Sequence, residues 1–225
     1  MFAGRVLSLF LLAFLLALGV VRPAFADLML GLRLSEQGYA TYTVTGSADP
    51  LISTQNFGTF TTNIQVNNVS TDPLSIDLGS LNLSSLAPGN LTIEASVTGL
   101  DSPLGATAFL SQLSGNGFGS LGSVSLNTYL SNSDTMFGTD TLLTSLNATA
   151  SLFAESQSAA TTTTGPYAIT EVLTINTTGV AGASVDASTT AAPEIDARAG
   201  GVAIAFLVGL VALLAERRRR PAASA

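Results

Sequence analysis

The chain has 225 residues, of which only 10% are charged, and it contains no cysteine, histidine, tryptophan or lysine. Without cysteine and histidine it cannot form a disulfide, a Cys or His metal site, or a Ser-His or Cys-His catalytic pair, so we expect no cofactor and no catalytic residue. One arginine stands against twelve acidic residues in 27–192, and this acidic balance argues against a nucleic-acid partner.

Residues 1–26 have the features of a secretory signal peptide in the usual order. Arg5 supplies the positive charge, an apolar run follows over 6–21, and Ala24 and Ala26 form an A-x-A cleavage site. The sequence therefore predicts export, removal of this segment by signal peptidase, and a mature chain that begins at Asp27. An uncleaved transmembrane anchor is the alternative.

Apolar and polar residues alternate from Leu28 to about residue 184, which predicts strands with one buried face and one solvated face. Turn signals rich in Pro, Gly, Asn and Asp separate the runs. The expected fold is all-β, an antiparallel β-sandwich of about eight or nine strands over 27–185. The clearest alternating segments are 39–45, 63–67, 74–78, 91–97, 123–127 and 168–175.

Three segments without clear alternation receive separate predictions. We expect 141–153 to be a strand, because it is rich in β-branched and hydroxyl residues. We expect 161–164 to be an exposed loop. The small, hydroxyl-rich segment 186–192 is predicted to be a disordered linker between the β-domain and the tail.

Two short motifs spell known sites but lack their context. Residues 117–122 read G-x-G-x-x-G, yet a strand and not a helix follows, so we expect a turn with a hairpin corner at Asn116 and Gly117. The loop 132–138 offers oxygen ligands, and Asp134 and Asp140 could share a cation. A calcium loop, however, needs a ligand where Met136 stands and a later glutamate, so an Asx-turn is the alternative we favour.

Two sets of side chains could give the β-domain a catalytic or a sugar-binding function. A carboxylate hydrolase would use a pair of acids from Glu94, Glu155 and Glu171, although we expect Glu94 and Glu171 to be solvated strand residues. A carbohydrate-binding or adhesive module would stack sugars on Tyr39, Tyr42 and Tyr129.

The last part of the chain combines three features in a fixed order. A polar motif comes first and consists of Pro193, Glu194, Ile195 and Asp196. An uncharged apolar run follows over 200–215; as a helix it is about 24 Å long, a short span for a membrane. An arginine cluster ends it and predicts a cytoplasmic C-terminus: Arg217, Arg218, Arg219 and Arg220.

This tail resembles the PEP-CTERM sorting domain, in which a Pro-Glu motif precedes a short transmembrane helix and a terminal arginine cluster. With Ile195 and Asp196 after Pro193 and Glu194, it is similar to the PEID variant of that signal. We assign the sorting domain to 193–221, with its transmembrane helix at 199–215. The resemblance implies recognition by an exosortase, a membrane-embedded cysteine transpeptidase that cuts near the motif and releases or re-attaches the ectodomain. It also implies a Gram-negative host that makes exopolysaccharide.

Parts of the ectodomain also resemble PEP-CTERM surface proteins, in the runs 123–125, 127–130, 136–143 and 164–170; the family assigns them no activity. We therefore expect an exported, non-enzymatic cell-surface or extracellular-matrix protein. Its precursor would be anchored in the inner membrane with the C-terminus in the cytoplasm, and its mature form would be linked to exopolysaccharide or biofilm. A carbohydrate-binding module and, after it, a carboxylate hydrolase are the alternatives.

Overall fold

The computed structural model describes residues 27–47, 49–71 and 74–193. Within these ranges the chain is all-β, as the alternation predicts, and no helix is long and apolar enough to cross a membrane. The predicted signal peptide and the tail after Pro193 lie outside the described residues. The ten strands are β1 Met29–Glu36, β2 Tyr42–Gly46, β3 Leu51–Phe57, β4 Phe60–Thr71, β5 Leu74–Ser85, β6 Gly89–Leu100, β7 Gly105–Ser131, β8 Thr141–Ala148, β9 Leu152–Thr163 and β10 Tyr167–Pro193.

Two long strands, β7 and β10, pair antiparallel with each other and belong to both layers of the fold. The first half of β10 pairs with β6, and its second half pairs with β5. On the other side, the second half of β7 pairs with β8, and its first half pairs with β9. Sheet I therefore has the order β2-β1-β6-β10-β7-β8, and sheet II has the order β3-β4-β5-β10-β7-β9.

The two sheets face each other because β7 and β10 fold back on themselves. Ser111 and Thr128 lie seventeen residues apart on β7, which would be roughly 55 Å in a straight strand. Their hydroxyl oxygens are nevertheless 2.9 Å apart in the interior. The register of the β7–β10 pair shifts between Asn176 and Ala181, where both strands pass from one sheet to the other.

The sandwich consequently has two distinct ends. The bend end contains the crossing points of β7 and β10 and the short connections at 37–41, 58–59, 86–88 and 149–151. The tail end contains Leu28, Pro193 and the remaining connections, including the long loop 132–140. Both ends of the described chain thus lie at the tail end.

The glycine-rich segment 117–122 is part of this crossing and not a hairpin corner, so that prediction is wrong. The segment stays within β7 and remains paired with β10 on either side of the register shift. Its glycines allow close approach: a Cβ added at Gly119, whose φ is +71°, would lie 2.5 Å from the Val180 carbonyl oxygen. Nearby, a Cβ at Gly115 would lie 2.4 Å from the Ser184 carbonyl oxygen.

The predicted linker at 186–192 is also wrong, because β10 continues to Pro193. Ala187, Thr189 and Ala191 are buried between the sheets, while the residues between them face outward. The narrow space between two sheets accepts small side chains. The small residues of this segment therefore allow close packing of the sheets and do not indicate disorder. The segment 141–153 proves to be two strands, β8 and the start of β9, joined by a turn, and residues 161–163 belong to β9.

The centre of the sandwich is polar although the surrounding core is aliphatic and aromatic. Glu171 of β10 is fully buried there and lies opposite Thr128 in the strand register. The hydroxyls of Ser111, Thr128, Thr144 and Thr189 form a hydrogen-bonded cluster with oxygen–oxygen distances between 2.7 and 3.2 Å. Neither carboxyl oxygen of Glu171 has a hydrogen-bond partner of regular geometry.

Burial raises the pKa of Glu171 to about 8, because the charged carboxylate loses its hydration. The nearby Thr189 hydroxyl lowers this pKa in part, whereas the carboxylates of Asp77 and Asp186 raise it further. The side chain is therefore largely protonated in the folded protein at neutral pH. The buried acid therefore lowers the free energy of unfolding at every pH at which the Glu171 carboxyl group is ionised in the unfolded chain.

We expect Gly115→Ala to destabilise the protein by about 1–3 kcal/mol, because its Cβ would push β7 away from the β10 backbone. Gly122→Ala on the same strand is the matched control, since its Cβ would lie 3.3 Å from the nearest atom, the Asn176 carbonyl oxygen. Chemical denaturation measures both free energies of unfolding. Equal losses for the two variants would contradict the close approach of the strands at Gly115.

We expect the stability of the wild-type protein to fall as the pH rises from about 4.5 to about 8 because of Glu171. In this window the unfolded state loses the proton while the folded state keeps it, which removes about 1.4 kcal/mol per pH unit. Glu171→Gln should flatten that decline, whereas Glu155→Gln on the exposed strand β9 should leave it unchanged. Unfolding free energies measured at pH 5, 6, 7 and 8 test this, and parallel profiles for wild type and Glu171→Gln would refute it.

Candidate functional site

The folded domain reaches the first residue of the predicted sorting motif. Pro193 ends β10 and is paired with Thr107 of β7, and Ala191 is paired with both Leu74 and Phe109. The remaining motif residues lie outside the described part of the chain, as do the arginine cluster and the signal-peptidase site. The roles of these residues therefore remain predictions: Glu194, Ile195, Asp196, Arg217, Arg218, Arg219, Arg220, Ala24 and Ala26.

The loop 132–140 lies on the outer face of sheet I and is held by hydrogen bonds to two different strands. The Asp134 carboxylate accepts a hydrogen bond from the Gly99 backbone N–H at 2.7 Å, while the Asp140 carboxylate accepts one from the Ser131 hydroxyl at 2.7 Å. The two acids thus bind different groups. No group of three acidic side chains that could hold a metal ion occurs within the described residues.

An ion pair on the same outer face fastens this loop to the sheet. Arg33 of β1 donates two hydrogen bonds to the Glu94 carboxylate of β6, and its guanidinium lies 4.5 Å from the centre of the Phe137 ring. Gly31 makes room for the loop, because a Cβ there would contact the Met136 sulfur and the Phe137 ring. The single arginine of the domain therefore has a structural role.

The three candidate glutamates are distributed over three different environments. Glu94 lies on the outer face of sheet I as predicted, but it is paired with Arg33, whereas Glu155 is exposed on the edge strand β9. Glu171 is buried between the sheets, which contradicts the prediction that it is solvated. Glu171 stands two residues after Ile169 and two before Leu173, and alternate residues of a strand point to the same side. The alternation itself therefore indicates that Glu171 faces the core.

The three candidate tyrosines do not form one stacking platform. Tyr39 is half-exposed in the connection at 37–41, at the bend end. Tyr42 packs against the core and is opposite Leu34 in the register, on the inner face of sheet I. Tyr129 alternates with the buried residues Thr128 and Leu130, so it lies on the outer face.

A shallow polar groove of about 300 Å³ lies on the outer face of sheet II. Its polar lining residues come from β7, β9 and β10, and no aromatic ring contributes to the lining: Gln112, Ser114, Glu155, Ser156, Asp186 and Ser188. Next to it, burial and the neighbouring Asp186 carboxylate raise the pKa of Asp77 on β5. The groove can donate and accept hydrogen bonds but offers no stacking surface.

Three solved structures that resemble the fold are remote in sequence. The enzymatically active domain of tailspike protein 4 of bacteriophage CBA120 is 12% identical with a TM-score of 0.34, covering 61% of this chain and 18% of that one. A carbohydrate-binding module of the β-sandwich superfamily is 10% identical with a TM-score of 0.32, covering 71% of this chain and 70% of that one. TmCBM61, solved with β-1,4-galactotriose, is 11% identical with a TM-score of 0.32, covering 72% of this chain and 88% of its own.

Similarity at this level does not indicate what the β-domain binds. The chain spans less than a fifth of the length of the tailspike domain. No curated protein matches the sequence. The family model described as the VPEID-CTERM protein sorting domain matches residues 192–222, with Ala192 before the Pro-Glu-Ile-Asp motif. The C-terminus of this chain is therefore a VPEID-CTERM sorting domain, a PEP-CTERM-like signal that an exosortase recognises.

Proposed function

We propose that this chain is an exported, non-enzymatic cell-surface or extracellular-matrix protein whose β-sandwich is displayed through exosortase processing of its tail. The observation that carries the proposal is the sorting domain at 192–222, which continues directly from the last strand of the folded domain. A sorting signal placed in this way delivers the whole sandwich to one location.

The proposed route has three steps. Signal peptidase cuts after Ala26, the helix at 199–215 holds the precursor in the inner membrane, and the arginine cluster at 217–220 keeps the C-terminus in the cytoplasm. Exosortase then cuts near 193–196 and passes the sandwich to the cell surface or the matrix. A link to exopolysaccharide belongs to the same proposal.

The placement of the three candidate glutamates supports a non-enzymatic role. A hydrolase of the two-carboxylate type needs both acids facing one substrate site. Here Glu94 is paired with Arg33 on an outer face, Glu171 is buried between the sheets, and Glu155 lies on an edge strand of the other sheet.

Carbohydrate binding is the second candidate, and the polar groove on sheet II favours it more than the tyrosines do. Carboxylate, amide and hydroxyl groups converge there, and these groups hydrogen-bond sugar hydroxyls. The absence of an aromatic ring among the lining residues predicts weak binding that depends on many copies at a surface.

For the groove, we expect Asp186→Asn together with Gln112→Ala to lower retention of the exported protein on exopolysaccharide from its host. Thr54→Ala on the exposed part of β3, outside the groove lining, is the control. Affinity electrophoresis in gels that contain the polysaccharide measures the retardation. No retardation of the wild-type protein would exclude this role and leave the sorting proposal intact.

For sorting, we expect Glu194→Ala to block processing, because it removes the glutamate of the Pro-Glu motif next to the expected cleavage site. The variant should keep its tail and stay in the inner-membrane fraction, whereas wild type and the control Glu155→Ala should lose it. Intact-mass measurement of protein recovered from the exosortase host distinguishes these products. An unchanged mass and location for Glu194→Ala would refute the proposed processing.

A further inference from the structure

Four large apolar side chains are exposed at the bend end, opposite the sorting signal. The exposed fractions are 82% for Leu86, 77% for Leu152, 69% for Phe118 and 65% for Val180. Single exposed apolar residues are ordinary on protein surfaces, but several next to one another are not. Whether these four are neighbours follows from the strand register.

The strand register brings the four residues close together at the bend end of sheet II. Phe118 and Leu152 lie on the adjacent strands β7 and β9, Val180 lies in β10 next to β7, and Leu86 is the first residue after β5, which pairs with β10. Leu86 follows Ser85, whose partner is Ala181, and Val180 precedes Ala181. Phe118 is paired with Gly182.

The inward or outward direction of the side chains agrees with this arrangement. Ala181 is buried on the inner side, so Val180 and Gly182 face outward, and the Phe118 ring lies directly over Gly182. Leu152 pairs with the exposed Asn116, while Phe153 points into the core. At about 4.8 Å between strands, the four residues span about 15 Å. We call these four residues the apolar strip.

The immediate surroundings of the apolar strip carry no charge. The connections at the bend end and the crossings of β7 and β10 contain no acidic or basic residue. Among the acids nearest to this end, Glu36 is only 8% exposed and its carboxylate accepts two hydrogen bonds from Thr59. Glu155 and Asp186 lie in the polar groove further along β9 and β10, roughly 10–13 Å from the strip at the usual rise of a strand.

We propose that the apolar strip is the contact surface for a second copy of this chain. Both copies carry a net negative charge, so their mutual repulsion is weakest between uncharged faces, and the tip of the bend end is such a face. An apolar strip is also self-complementary under two-fold symmetry. Aliphatic side chains with a single aromatic ring do not make a sugar platform, which favours a second copy over a glycan.

The contact is small and joins the molecules head to head. Pairing two strips would bury on the order of 1,000 Å², the lower limit for a specific interface, so the dimer is weak in dilute solution and strengthened by dense display. Because β10 ends with Pro193 at the opposite end, the two Pro193 residues lie at the far ends of such a dimer. Copies displayed on two facing surfaces can therefore pair through this contact.

The natural chain has no cysteine, so one introduced thiol reports a contact without background. Full-length Val180→Cys, produced in its exosortase host, is treated on washed cells and in the medium with a short bis-maleimide. Ile52→Cys is the matched control: it is 61% exposed on strand β3 of the same sheet, at the end of that strand away from the bend end. We expect a covalent dimer of twice the chain mass for Val180→Cys, at a yield at least about tenfold above the control.

Adding Leu86→Asp to Val180→Cys should reduce the dimer yield about tenfold, because a charge would enter the apolar contact. Leu86 is mostly exposed, so this variant keeps the fold even if Phe118→Asp, tested in parallel, does not. Equal yields at positions 180 and 52 would overturn the proposal, as would a dimer yield insensitive to Leu86→Asp. A cross-link to a different protein would also overturn it. So would the following pair of results: no dimer forms, and polysaccharide slows the reaction of the thiol at position 180 with a monofunctional maleimide.

Discussion

The antiparallel pairing of β7 with β10 over almost their whole length is the constraint on which the rest of the fold depends. Each of the two strands contributes one half to sheet I and the other half to sheet II. The backbone hydrogen bonds of both sheets therefore share one ladder, and neither sheet can form a complete layer without the other. Gly119 at the crossing and Gly115 near it let the two backbones stay close enough to remain paired while they bend.

Folding the ladder back places a polar layer in the middle of an otherwise apolar core. Thr128 and Ser111 belong to one strand, but they meet from opposite sheets and are joined by Thr144 and Thr189. These hydroxyls satisfy one another, so their burial costs little. Glu171 is the exception, because its carboxyl group is buried without a regular partner and remains protonated at a neutral pH. The fold tolerates this acid because the surrounding apolar core is large.

The fold also places exposed acidic residues and an uncharged, partly apolar surface at opposite ends of the sandwich. Exposed acids such as Asp49, Asp101 and Asp140 lie at the tail end together with the start of the sorting signal, and the tip of the opposite end is uncharged and partly apolar. The chain topology thus sets both where the sorting motif begins and which end of the domain is uncharged and partly apolar.

Much of this was predictable from the chain alone, because a period of two forces one face of each strand inward wherever the sheet packs. That alternation predicted the all-β class, and in retrospect it also predicted the burial of Glu171 and the strand at 186–192, whose residues keep its parity. The sorting signal was readable because it is a contiguous motif that a processing enzyme recognises in linear form.

The neighbours of each strand could not be read in the same way. Nothing local to Leu86, Phe118, Leu152 and Val180 shows that they lie close together, since each comes from a different segment of the chain. Likewise, the glycines at 117–122 look like a turn until their partner strand is known. The strand class, the facing of most residues and the sorting signal follow from local sequence. The neighbours of each strand follow only from the folded structure, because strand pairing depends on hydrogen bonds between segments distant in the chain, which local alternation does not encode.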